Sequence, residues 1–94
     1  MITRIVKMTF QPEKVDEFLS LFYEKKMHIE QFDGCRNVVL LNDIQNKNVF
    51  FTYSHWENED SLNNYRNSEL FNDVWKKTKI LFAAKPEAWS LEEK

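Results

Sequence analysis

Asn48–Phe71, NVFFTYSHWENEDSLNNYRNSELF, holds a strand that runs directly into helix. In the strand, Val49–Trp56, Val49, Phe51, Tyr53 and His55 point one way and Phe50, Thr52, Ser54 and Trp56 the other. A strand with one wet face alternates apolar with polar residues. Here Phe50 and Phe51 adjoin, so both faces are expected to be covered. Asn58 follows as a helix N-cap, with Glu59 and Asp60 in the first turn, where the helix dipole favours acids.

Downstream, the helix from Glu59 is expected to run to about Arg66, and Asn67-Ser68 to break it and cap the next one. Phe71, Val74, Trp75, Thr78, Leu81 and Phe82 recur at helical spacing, with Lys76, Lys77 and Lys79 late, where cations suit the dipole. Pro86 closes this helix, and Glu87–Leu91 reads as a last short strand carrying Trp89 and Leu91 on one face. Upstream, Arg36–Asn42 is a second two-faced apolar strand. It is joined to Val49–Trp56 by a turn in which Asn46 or Asn48 is expected to take a positive φ. Before it, Val15, Phe18, Leu19, Phe22 and Ile29 mark a helix opened by Pro12 and ended near Phe32 by Asp33-Gly34. Gly34 is the chain's one glycine, so its backbone freedom is expected to be needed there. Residues 2–10 form the first strand, with Ile2, Val6, Met8 and Phe10 on one face beside Arg4.

The order is βαββαβ with a split second helix. It predicts an α+β, ferredoxin-like domain over 1–94, an antiparallel sheet with helices on one face. Nothing else in the chain covers the other face, whose apolar side chains call for a second copy about a two-fold axis. Obligate homodimerisation through the sheet face is therefore expected.

Composition bounds the rest. A net charge of -2 gives no basic footprint for nucleic acid. No apolar run spans a membrane, MITRIVKMTF is not a signal peptide, and Cys35 is alone, so a cytoplasmic protein without disulfides is expected. Two distant histidines and one cysteine do not make a metal site. One glycine cannot build a phosphate-binding loop, so no cofactor is expected.

The segments RIVKMTFQPEKVDEFLSLF, FDGC, FFTYSHW and NNYRNSELFNDVW resemble the antibiotic biosynthesis monooxygenase domain, a family of small dimeric α+β barrels. The resemblance spans roughly Ile2–Leu91. It implies a cofactor-independent oxygenase that oxidises a quinol- or anthrone-like aromatic with O2, in a pocket between sheet and helices. The deprotonated substrate is itself the electron donor. It also implies that the C-terminal strand, anchored here by Trp89, reaches across to the partner. Haem-degrading members of the family use an asparagine, a tryptophan and a haem-ligating histidine. At the matching positions this chain has Val6, Tyr65 and Trp75, so haem degradation is not expected. Other relatives carry His-x-x-Ser-x-His at the helix break, where this chain reads Tyr65-Arg66-Asn67-Ser68-Glu69-Leu70.

Three residues are candidates for chemistry. His55 could accept a phenolic proton, or be a strand-end histidine bonded to the backbone. Tyr53 could line the same cavity or belong to the core. Arg4, an odd charge on an apolar face, could stabilise a phenolate or pair with an acid at the sheet edge. Val6, Phe51, Tyr65 and Trp75 are the candidate walls for a small aromatic ligand. His28 and Cys35 read as surface and structural residues. Two functions fit: a cofactor-free monooxygenase, favoured by His55, Tyr53 and Arg4 near one cavity, or a non-catalytic small-ligand or stress-response module, favoured by the lost histidines.

Overall fold

The structure, a computed structural model, describes residues 1–94. Its elements are β1 (Ile2–Thr9), a 3₁₀ turn (Pro12–Lys14), α1 (Val15–Glu30), β2 (Cys35–Asn42), β3 (Val49–Trp56), α2 (Glu59–Arg66), α3 (Glu69–Lys79) and β4 (Glu87–Glu92). The strands form one antiparallel sheet in the order β2-β3-β1-β4, which is the βαββαβ arrangement. The sheet is open, so one chain does not close a barrel by itself.

Local chemistry accounts for most boundaries. Asn58 caps α2 by accepting from the Ser61 backbone N–H at 2.8 Å. Ser68 caps α3 by accepting from Phe71 N–H at 3.1 Å, and its hydroxyl donates back to the Tyr65 carbonyl at 2.6 Å. One serine thus ends α2 and starts α3. Gly34 has φ +87°, and a Cβ there would lie 2.3 Å from Ser61 Cβ. Its carbonyl accepts from Glu57 N–H at 2.8 Å, tying the turn to the start of α2.

Two expectations are corrected. No residue other than Gly34 takes a positive φ. The β2–β3 turn is instead held by the Asp43 carboxylate, which accepts from the Gln45 and Asn46 N–H groups at 2.8 and 3.0 Å. The Asn48 amide reaches across to the Phe10 carbonyl at 2.9 Å. Secondly, α3 stops at Lys79 rather than continuing to Phe82. The chain turns there to pair with β1: Gln11 N–H donates to the Leu81 carbonyl at 3.0 Å and Ala83 N–H to the Thr9 carbonyl at 2.8 Å. Leu81 and Phe82 keep helical spacing but reach the core from the turn that follows α3, their N–H groups donating to the Thr78 and Lys79 carbonyls.

The core lies between the sheet's inner face and the helices. Phe10 and Trp56 are fully enclosed. Phe10 stacks on Phe18 at 4.0 Å, and Phe50 packs against both rings. The inner face carries Arg4, Val6 and Met8 from β1 and Phe50, Thr52, Ser54 and Trp56 from β3. The outer face carries Ile5, Phe51, Tyr53, His55, Val39, Leu41, Trp89 and Leu91. No helix covers it. Leu41 is 49% exposed, Leu91 47% and Trp89 42%, a large apolar surface for so small a chain.

Candidate functional site

A cavity of about 330 Å³ opens between the inner face and the three helices. That volume is roughly twice the ~150 Å³ that accommodates a benzene ring. Thirteen of its twenty lining residues are hydrophobic, so the body of any ligand here is apolar.

Of the residues singled out in the sequence, Arg4, Val6, Tyr65 and Trp75 line this cavity. Phe51, Tyr53 and His55 do not. Strand parity separates the two groups: Arg4 pairs with Ser54 and Val6 with Thr52 on the inner face, whereas Ile5 pairs with Tyr53 and Lys7 with Phe51 on the outer. The expected meeting of His55 and Tyr53 with Arg4 in one cavity is therefore corrected. His55 packs edge-on against Tyr53 at 4.8 Å, and its Nδ1 lies 2.7 Å from Asn37 Oδ1. An amide oxygen can only accept, so Nδ1 carries the proton there.

Each inner residue has a defined setting. Arg4 is half-buried, and its Nη1 donates to Ser90 Oγ on β4 at 2.9 Å. Burial, and then the nearby guanidinium of Arg66, hold its pKa below the usual arginine value. Arg66, the last residue of α2, also lines the cavity. Neither arginine makes an ion pair, although Lys14, Lys25, Arg36, Lys77 and Lys94 all do. Tyr65 stacks on Trp56 at 4.9 Å and meets Phe71 and Phe32 edge-on. Burial, reinforced by the neighbouring Cys35, raises its pKa well above an ordinary phenol's, so it stays a protonated donor. Trp75 stacks on Phe71 at 5.9 Å and forms one aromatic wall. Ser54 is committed, accepting from Trp56 Nε1 at 3.0 Å and donating to the Arg4 carbonyl at 3.5 Å.

Cys35 lies outside the cavity wall. Burial, then the Glu30 carboxylate, push its thiol up to about 11, which makes it a poor nucleophile at neutral pH. No group of three His, Cys, Asp or Glu side chains is placed to hold a metal ion. No histidine or cysteine lines the cavity, and Trp75 forms part of its wall.

The antibiotic biosynthesis monooxygenase profile matches residues 1–77. The chain belongs to the antibiotic biosynthesis monooxygenase family. A crystal structure of an antibiotic biosynthesis monooxygenase superposes with a TM-score of 0.93 at 18% identity, covering 100% of this chain and 99% of that one. A conserved protein from Methanosarcina mazei Go1 is similar at a TM-score of 0.93 and 22% identity, covering 100% and 94%. A protein from Mycobacterium tuberculosis is similar at 0.90 and 14%, covering 99% and 94%. At such identities these neighbours speak for the fold alone. No curated protein matches the sequence.

Sequence reasoning missed Arg66, which ends a polar helix and belongs to no pattern. The one available signal was its place beside Tyr65, which the family resemblance had already put at the helix break.

Proposed function

We propose that this family member is a cofactor-independent monooxygenase that oxidises a one- or two-ring, quinol-like phenol with O2 in the cavity between sheet and helices. The observation that carries this reading is an apolar, aromatic-walled cavity whose cations have no acid partner. Its volume of about 330 Å³ has room for a fused aromatic ring system.

The chemistry needs a phenolate, since the substrate must supply the electrons. The cavity has no histidine to take the proton. Arg4 replaces a base by stabilising the anion. A unit charge about 4 Å away at an effective dielectric near 20 is worth ~4 kcal/mol. That lowers a phenol's pKa from about 10 towards about 7. The proton leaves to water. The anion passes one electron to O2, and the resulting radicals join at the ring carbon para to the oxygen. Loss of that carbon's hydrogen with cleavage of the O–O bond gives the quinone. For 1-naphthol the balance is naphthol plus O2 to 1,4-naphthoquinone plus water, with no outside reductant. Protonated Tyr65 donates to the departing peroxide oxygen.

The second copy expected from the sequence belongs to the same proposal: a homodimer through the outer sheet face. Val39, Leu41, Trp89 and Leu91 would be covered there, and Tyr53 and His55 would lie between the two sheets. In that setting His55 positions the interface rather than the substrate.

The lack of a cavity histidine is the observation that favours the alternative, a non-catalytic small-ligand module. Oxygen uptake by metal-free protein with 1-naphthol separates the two. The oxygenase reading expects uptake above the protein-free rate. It also expects Arg4→Gln to lose about 10²–10³-fold, the usual cost of one oxyanion donor. His55→Ala, on the other face, should stay within threefold or so of the parent. Uptake equal to the protein-free rate would leave only the binding module.

A further inference from the structure

We infer that the cavity's ligand carries a second, permanent anion: the natural substrate class is a phenolic carboxylic acid, with its ring in the aromatic chamber and its carboxylate held by Arg66. This rests on the reading that the cavity is the substrate site. It goes beyond that reading by naming a second recognition element and a residue for it.

Three observations carry the inference. First, two arginines line one cavity from different elements, Arg4 from β1 and Arg66 from the end of α2. A phenolate accounts for one of them. Second, both are without an ion pair, and Arg66 makes no hydrogen bond to any other side chain. After burial, the charge of Arg66 is what holds the Arg4 pKa below its usual value, so the two cations lie near each other. Glu87 is the one acid in the lining; it is exposed on β4 and pairs with neither arginine. Third, the two arginines differ in depth. Arg4 is half-buried and anchored to Ser90, whereas Arg66 is exposed, so the phenolic end goes in first and the carboxylate stays near solvent. A guanidinium presents a planar fork that matches a carboxylate with two parallel hydrogen bonds. Trp75 and Phe71 line the same cavity, stacked within 11° of parallel, a flat wall for the ring that joins the two ends.

A matched ligand pair tests the inference by equilibrium binding, read from tryptophan fluorescence at neutral pH. 2-Naphthol and 6-hydroxy-2-naphthoate share a skeleton and differ by the carboxylate. The wild-type protein should bind the hydroxynaphthoate about 10–100-fold more tightly, the range of a charged hydrogen bond. Arg66→Gln should weaken hydroxynaphthoate binding far more than 2-naphthol binding and so remove that preference, and Arg66→Lys should keep part of it. The Arg66 side chain makes no ion pair and no side-chain hydrogen bond, and circular dichroism of the variants should match the wild type. Equal affinity of the wild type for the two ligands, or a preference that survives Arg66→Gln, would overturn the inference. Neither result depends on turnover. A carboxylate preference without oxygen uptake would sink the oxygenase reading and leave the anion site standing; oxygen uptake without the preference would do the reverse.

Discussion

Replacing Gly34 with alanine tests how the fold delivers the site. Gly34 has φ +87°, a region that costs an L-residue about 1–2 kcal/mol. The new methyl would lie 2.3 Å from both Cβ and Oγ of Ser61, neither of which is the loose end of a long side chain. Relieving such overpacking costs typically about 1–3 kcal/mol. Restricting the unfolded chain returns about 0.4–1 kcal/mol. The net loss should be about 2–4 kcal/mol, or roughly 10–25 °C in Tm for a domain of this size. Ser61 lies one helical turn before Tyr65 on α2, so a shift there also displaces Tyr65 and Arg66. Ser61→Gly removes the clashing atoms but not the φ penalty. A double-mutant cycle by urea unfolding, at one protein concentration, should therefore give a coupling of about 1–3 kcal/mol and leave about 1–2 kcal/mol unrescued. A Gly34→Ala loss below 1 kcal/mol, or zero coupling with Ser61, would refute the close approach of turn and helix.

Other outcomes follow from the same geometry. Tyr65 and Cys35 both have raised pKa values in the fold. The unfolded chain therefore releases their protons first, so stability should fall as pH rises above about 8.5 and keep falling beyond 10; thiolate absorbance of the native protein should show a midpoint near 11. Flat stability between pH 8 and 11, roughly the window those unfolded values set, would contradict this. Trp89→Ala truncates a side chain that is 42% exposed in one chain. Sedimentation should show it weakening self-association by about 30-fold, as for an interface hot spot of about 2 kcal/mol; a folded wild-type monomer at low micromolar concentration would contradict the dimer. Haemin titration should give no stoichiometric Soret band, and a saturable band followed by ring opening under a reductant would reverse the assignment of Trp75.

Much of the fold was legible because its signals are local. Asn58, Ser68 and Gly34 each act through hydrogen bonds or dihedral freedom within a few residues, and the structure places all three as the sequence implies. The end of α3 was not legible. Leu81 and Phe82 continue the helical period, yet the Leu81 carbonyl is claimed by Gln11 N–H and the next N–H after Phe82, that of Ala83, by the Thr9 carbonyl, seventy or so residues earlier in the chain. The site was legible in part. Arg4 stood out as a charge on an apolar face, and it does reach the cavity. His55 and Tyr53 were drawn to the wrong side because both faces of β3 are apolar, so parity could group residues without saying which group meets the helices. That choice belongs to the partners of β3: Arg4 and Val6 sit opposite Ser54 and Thr52, and the helices close over them.

The central claim is that the cavity itself, without metal or cofactor, places an oxygen atom on a bound phenolate. The most direct measurement is mass spectrometry of the product formed by metal-free protein from 1-naphthol under heavy-isotope O2. The account predicts 1,4-naphthoquinone with one labelled oxygen at the new carbonyl and the other in water, formed faster than without protein and lost in Arg4→Gln. Unlabelled quinone, or labelled quinone formed equally well by Arg4→Gln, would contradict it.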